Sequence, residues 1–371
     1  MKAERLRILK MVEDGKLSVD EALTLLESLE SKPTGAPASF FEKKEQDSVK
    51  FEEAKKEESV NHKFQTAKDK IFDFVDTALK KIKDIDLDLN FGHSIEVSHV
   101  FQHSDAVFKD LDVEVANGSV KLIPWDQKDV RIECHAKVYR VETPQEARDH
   151  FMKDVSFALD GDKLRFHTSQ KWMKLDAVLY IPQTQYDRVR IRMFNGPVSG
   201  EELAVNDYRV KTANGKIELA GISGKRLEAE TANGQILIKR SKIDKLEAES
   251  INGAIKLDGD FKFAELQTFN GNLTCHLNSD RCESIVAKGA TGNIDLYVPV
   301  GVALHGDLKT NLGGLNVLVE GVQITEEKSE VVQKALRFQS VMPSERQLKI
   351  FADTKTGSVH IKKAETVGSI L

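Results

Sequence analysis

The sequence lacks most of the features that announce a function directly. Its 371 residues carry 54 lysines and arginines against 59 aspartates and glutamates, for a net charge of −5. So even a balance offers no global basic surface to a polyanion, and nucleic acid is excluded as the expected partner. Cysteine is scarce. Cys134, Cys275 and Cys282 are an odd, widely spaced set that makes no disulfide framework and fits a reducing compartment. No run approaches the roughly 18 apolar residues of a membrane span. The opening MKAERLRILKMVEDGK has charges throughout and no apolar h-region, so it does not read as a secretory signal. Residence in the cytoplasm is the expectation, with membrane association or surface exposure by a non-classical route left open.

Motifs for chemistry are equally absent. There is no G-x-S-x-G elbow, and the glycines do not follow a P-loop or dinucleotide pattern. Cys134-His135 and Cys275-His276 are the closest approach to a metal site, but neighbours on a strand point to opposite faces and cannot chelate one ion together. No catalytic residue, metal or cofactor is expected.

What is present falls into four segments. Residues 1–31 read as a helical hairpin. Leu6, Ile8, Leu9 and Val12 make an apolar stripe ahead of Gly15, and Ser18-Val-Asp-Glu21 is a capping box that opens a second helix with Leu23, Leu26 and Leu29. A unit of this size cannot bury its own apolar face, so Leu6, Leu9, Leu23 and Leu26 form a candidate surface for a partner or a second copy. Residues 32–61 are charged, punctuated by Pro and Gly and poor in apolar residues, as a flexible linker is. Residues 62–90 place Phe64, Ile71, Val75, Ala78, Ile82 and Ile85 at helical spacing, with Lys68, Lys70, Lys80, Lys81 and Lys83 between them. Such a basic amphipathic helix is expected to cap the β-structure that follows; the alternative is peripheral contact of 63–85 with an anionic membrane.

From about residue 91 to 371 the period changes from helical to two. Asn-Gly pairs stand at Asn195, Asn214, Asn233, Asn252 and Asn270, with an earlier copy at Asn117 and degenerate ones at Thr291 and Thr356. Three and five residues after them stand Ile217 and Leu219, Ile236 and Ile238, Ile255 and Leu257, Leu273 and Cys275. Alternate positions before each Asn are apolar or Thr/Ser, so each unit is strand, turn, strand with alternate side chains inward. Asn-Gly is also a strong hairpin signal, and a meander of hairpins would bury the same residues. The constant steps of 19, 19, 19 and 18 residues favour a parallel β-solenoid, in which each coil stacks on its predecessor. Asn tolerates the left-handed backbone expected at such corners, stacked Asn amides can bond coil to coil, and Gly supplies positive φ. The repeat breaks at about 321–345, where EEKSEVVQKALRFQS is expected to form a helical insertion that caps the end.

These repeats, with the helical motif RLRILKMVEDGKLSVDEALTLLESL before them, resemble the bacterial putative-adhesin β-solenoid family over residues 95–362. The N-terminal motif is similar to the short helical, SHOCT-like module of its YvlB-like and LiaX-like branches. The resemblance implies a mainly β, right-handed parallel β-solenoid, a Gram-positive origin and a non-enzymatic role in the cell-envelope stress response through protein contacts. In the LiaX-like branch it further implies a module that senses membrane-active peptides and a solenoid that restrains a regulatory system.

One outward face remains to be read from the residues themselves. Glu228, Glu230, Glu247, Glu249 and Glu265 stand on successive rungs, about 4.8 Å apart. Glycosidase carboxylates need a similar or larger separation, which keeps a carbohydrate-active β-helix enzyme as the rival reading, beside a plain structural scaffold. A solvated acidic face, receptive to a cationic peptide or to the Lys-rich 63–83 segment, is the expectation. The overall reading is an interaction protein that switches contacts with a regulator, a peptide or a membrane.

Overall fold

The computed structural model describes residues 93–364, except 169, 331–332 and 343. The helical hairpin at 1–31, the linker at 32–61 and the amphipathic segment at 62–90 lie outside the described residues.

The chain opens with β1 (Ser94–His103), β2 (Asp110–Trp125) and β3 (Val130–Tyr139), then α1 (Pro144–Asp154), β4 (Ser156–Asp160), β5 (Lys163–Thr168) and β6 (Met173–Pro182). The repeats follow as β7 (Gln185–Asn195) and β8 (Val198–Glu201), β9 (Ala204–Asn214) and β10 (Ile217–Ala220), β11 (Ser223–Asn233), β12 (Ile236–Asn252), β13 (Ile255–Asn270), β14 (Leu273–Leu277), β15 (Ser284–Thr291) and β16 (Ile294–Val298). The chain finishes with β17 (Ala303–Leu312), β18 (Leu315–Leu318), β19 (Val322–Ser329), β20 (Lys334–Ser340), β21 (Gln347–Thr356) and β22 (Val359–Lys363).

Pairing between repeats is parallel and in register. Asn214 pairs with Asn233, Asn233 with Asn252, and Asn252 with Asn270; on the second half of each unit, Ile217 pairs with Ile236 and Ile236 with Ile255. A meander of hairpins would be antiparallel, so the repeats are stacked rungs. Parallel strands bury both flanks of each rung, and the inward columns Ile217/Leu219, Ile236/Ile238, Ile255/Leu257 and Leu273/Cys275 are all buried.

The asparagine amides bond from rung to rung. Nδ2 of Asn195, Asn214, Asn233, Asn252 and Asn270 each donates to Oδ1 of Asn117, Asn195, Asn214, Asn233 and Asn252 in turn, at 2.8–2.9 Å. Thr291 extends the ladder by donating to Asn270 Oδ1, and Asn117 Nδ2 ends it on the Lys171 carbonyl. Two residues earlier, the hydroxyls of Thr212, Thr231, Ser250 and Thr268 donate to the carbonyls of Gly196, Gly215, Gly234 and Gly253 one rung away. The Thr-Ala-Asn-Gly word is therefore two hydrogen-bonding columns and the glycine both pack around.

The expected reason for Asn needs correction, and that for Gly holds at some corners and not at others. None of the ladder asparagines has positive φ; the non-glycine residues that do are Asp105, Arg140, Glu202 and Arg240. Each Asn ends an extended strand, and its amide, not its backbone tolerance, is what the site uses. Gly118, Gly196 and Gly271 do supply positive φ, at 130°, 133° and 157°, but Gly215, Gly234 and Gly253 do not. A Cβ at Gly234 would stand 2.0 Å from the Gly215 carbonyl oxygen, and one at Gly253 would stand 1.9 Å from that of Gly234. Close approach of stacked backbones excludes any side chain here. At the other bend Glu202, Gly221 and Arg240 recur every 19 residues with positive φ of 52°, 66° and 48°.

Both ends depart from the simple stack. On the first rung, β2 is covered by β6 on one half and β5 on the other; β3 and β1 then add antiparallel to β6, and β4 to β5. Helix α1 packs on β1 and β3. Thr143 caps it by accepting from the Glu146 amide, Pro144 begins it, and Phe151 is buried against Phe101. Residues 94–182 thus cover the first rung; the cap expected from 62–90 lies outside the described residues. At the far end, β21 and β22 insert between β15–β16 and β17–β18, so the last repeat in sequence is the penultimate rung in space. The helical insertion expected near 321–345 is instead the antiparallel pair β19–β20, whose β20 lies against β17. Leu336 and Phe338 alternate inward there, a period of two that defeats the helical reading.

The ladder gives a direct stability test. Asn233→Ala removes two amide bonds and should cost about 1–3 kcal/mol in urea denaturation, and Gly234→Ala should cost more, because backbone rather than a side chain must move. Equal stability of both variants and the wild type would contradict this account.

Candidate functional site

The outward polar face of β9, β11, β12 and β13 is the densest set of charges in the stack. In-register pairing puts Arg209 beside Glu228 and Lys211 beside Glu230, and then Glu228 beside Glu247 and Glu230 beside Glu249. Lys211 Nζ reaches Glu228 at 3.0 Å and Glu230 at 2.8 Å. Arg226 bridges Glu228 and Glu247 at 3.3 and 3.1 Å, and Lys245 also pairs with Glu247. Lys288, buried, lies 3.4 Å from Glu265, which also accepts from Gln267.

This corrects the expectation of a solvated face. Glu228 and Glu230 are 9% and 5% exposed, and the charges of Glu228, Glu230, Glu247 and Glu265 are met by cations of their own chain. Like charges on adjacent rungs do not confront one another undiluted, because each carboxylate pair has a lysine or arginine between or beside it. The signal was in the sequence: the residues 19 positions before Glu228 and Glu230 are Arg209 and Lys211.

Two of these groups behave as a unit. Burial pushes the Glu230 carboxyl up to about 7, and its hydrogen bond with Glu228 adds to the effect against the opposing Lys211. Burial acts the same way on Glu228, but hydrogen bonds from Glu230 and Lys211 and the charges of Lys211 and Arg209 overcome it and hold that carboxyl low. The pair therefore keeps one proton between them well above the ordinary carboxylate range. Side chains hydrogen-bonded to each other are closer than the ~5 Å that a nucleophile and acid/base pair must keep for a sugar between them. Glu230 Oε2 is buried and accepts no hydrogen bond.

Other candidates hold nothing convergent. All three cysteines are buried and free; burial pushes the Cys134 and Cys282 thiols up to about 12, so none is a ready nucleophile. Cys275 sits in the inward column while His276 faces out and stacks on Tyr297 with ring centroids 3.9 Å apart. Among the described residues, no group of three His, Cys, Asp or Glu is placed to hold a metal ion, and no helix is long and apolar enough to cross a membrane. The asparagines of the ladder line one corner as structure. Leu6, Leu9, Leu23 and Leu26 lie outside the described residues.

The raised Glu230 carboxyl makes stability depend on pH with a definite sign. Between about 4.5 and 7 the folded chain binds a proton that the unfolded chain releases, so stability falls as pH rises through this window. Relative to a Glu230→Gln variant, the wild type should lose on the order of 1–3 kcal/mol between pH 4.5 and 8. Urea midpoints of both proteins at the two pH values would show it, and parallel behaviour of the two would refute it.

Comparison with known proteins agrees with this architecture. Residues 108–362 match the family model described as Toastrack DUF4097, and residues 3–34 match a SHOCT-like domain. The chain is 46% identical over 374 residues to "Uncharacterized protein YvlB" of Bacillus subtilis (strain 168), covering 98% of this chain and 100% of that one. Among solved structures, it is similar to a putative lipid binding protein from Parabacteroides distasonis (10% identity, TM-score 0.41, 72% of this chain and 97% of the other). A putative adhesin from Bacteroides fragilis also matches (13% identity, TM-score 0.35, 71% and 97%). With the family model spanning 108–362 and a relative of this identity along its length, the chain belongs to the Toastrack DUF4097 family, as a YvlB homologue with a SHOCT-like N-terminus.

Proposed function

We propose that this protein is a non-enzymatic interaction protein of the bacterial cell-envelope stress response. The helical module at 1–31 makes the contact that switches, through Leu6, Leu9, Leu23 and Leu26, with a regulatory protein as its partner. The toastrack, wound as a right-handed β-solenoid in keeping with the strong preference of parallel crossovers, is the rigid body that presents it, and the protein works at the cytoplasmic side of the membrane. The linker at 32–61 keeps the module at high effective concentration without fixing its position. Displacement of the contact by a membrane-active peptide would then be the signal.

One observation carries the choice of binding over turnover. Of the carboxylates that could serve a glycosidase, Glu228 and Glu230 are held by Lys211 at 3.0 and 2.8 Å, Glu247 is held by Arg226 and Lys245, and Glu265 lies against Lys288. The cationic-peptide reading of that same face loses its support for the same reason, since Lys211, Arg209 and Arg226 already occupy it.

The test is deletion of residues 1–31 from the chromosomal copy in the host, read by an envelope-stress reporter after challenge with a membrane-active peptide. The deletion should abolish the difference that the full-length protein makes to the reporter, while the purified truncated chain keeps the wild-type melting temperature. An unchanged reporter response with a folded truncated protein would refute the proposal.

A further inference from the structure

Every rung of a parallel stack needs something on both sides, and the strands at which pairing stops show what the molecule leaves open. Among the described residues, four strands have one neighbour each: β1 pairs only with β3, β4 with β5, β19 with β20, and β18 with β22. An unpaired edge is a template for another strand, and proteins blunt it with charge. Three of the four are blunted: β1 carries Glu96, His99 and His103, β4 carries Asp160, and β19 carries Glu326, Glu327 and Lys328. β18 is Leu315-Asn-Val-Leu318, with no ionisable side chain.

The core is open at the same place. In the other rungs the two inward positions after the turn are closed, as at Ile217 and Leu219 or Val359 and Ile361, all 0% exposed. Their counterparts Leu315 and Val317 are only partly buried, because β20 and β19 cover β17 but no strand continues beyond β18. Leu312 and Leu318, at 65% and 63% exposed, flank this opening. The Gly314 carbonyl accepts from the Val359 amide, so by the alternation along a strand the backbone groups of Leu315 and Val317 point away from β22, toward the open side.

We infer that the edge of β18 pairs antiparallel with the β18 edge of a second copy of this chain, giving a two-fold dimer joined at the C-terminal ends of the two stacks. A strand, not a helix, is required to satisfy backbone donors and acceptors in a row. Head-to-tail addition is blocked, since the first rung is already covered on both halves by β5 and β6, with charged strands outermost. The remaining complement to an open, uncharged end is another such end. Antiparallel self-pairing of Leu315–Leu318 about Asn316 places Leu315 of one copy opposite Val317 of the other, so that the backbone groups facing the open side meet, covers the half-buried inward residues and brings Leu312 and Leu318 of both copies to the seam. An isologous contact of this kind closes at two copies and makes no fibre.

Sedimentation equilibrium of the full chain at micromolar concentration tests this. Twice the chain mass is expected. Leu318→Lys introduces the missing edge charge at an exposed position, and Val317→Pro removes an amide that faces the open side; each should weaken the dimer at least tenfold while the melting temperature of the monomer stays near the wild-type value. A chain lacking residues 1–31 should remain dimeric, which separates this contact from one made by the helical module. A monomeric wild type, a polymer, or a dimer that survives both substitutions but is lost with residues 1–31 would overturn the inference.

Discussion

The contact on which the stack depends is the close approach of backbones at the Asn-Gly corner. Each turn glycine lies so near the carbonyl of the glycine one rung away that a Cβ would overlap it at about 2 Å. That approach fixes the register of the stack. Shifting a unit by one residue would drive a side chain into the gap, turn the inward columns outward and break the asparagine amide ladder together. Parallel stacking of short rungs pays a heavy ordering cost through contacts distant in sequence, and columns repeated from rung to rung let one sterically defined corner set the alignment of both halves of every unit.

The same register organises the charges. Because rungs align residue on residue, a column of outward side chains is a column of neighbours, and Arg209 and Lys211 fall beside Glu228 and Glu230 as surely as Asn214 falls beside Asn233. The result is a partly buried, largely self-neutralised face whose two buried carboxyls, Glu228 and Glu230, share a proton. Burial without a cleft is poor ground for catalysis, and it is good ground for a stiff body. The proposed contacts therefore lie in the parts that do not belong to the repeat: residues 1–31 and the end of the stack where the repeat runs out.

How much of this could be read beforehand follows the periodicity. Where residues repeat at 19-residue steps, rungs, inward columns and the Asn ladder were all legible, because the spacing itself encodes neighbourhood. The role of Gly234 was misread as conformational since a sequence shows the turn but not the carbonyl of the next rung. The charge pairs were missed for a different reason: the acidic column was read from Glu228 onward through the later rungs, and Arg209 and Lys211 lie one period back. Departures from the repeat were the least legible. EEKSEVVQKALRFQS has helix formers at helical spacing, but Leu336 and Phe338 are drawn into the strand β20 by the exposed flank of β17, a tertiary demand that local propensity does not contain. Helix α1 was signalled by Thr143-Pro144 and Glu146 and passed unnoticed. The insertion of β21 and β22 ahead of β17 and β18 left no mark in the spacing, since both pairs carry the same pattern.

Family membership and stack together describe a repetitive body of in-register rungs, and that description rests on the asparagine ladder being continuous. Hydrogen exchange of the side-chain amides, followed by NMR on protein labelled at asparagine, tests this most directly. Nδ2 protons of Asn195, Asn214, Asn233, Asn252 and Asn270 donate along the ladder and should exchange many times more slowly than those of the exposed Asn272 and Asn293, which bond through their Oδ1 atoms. If all of them exchange at the rate of the exposed asparagines, the rungs are not held in the register described and the account of the stack is wrong.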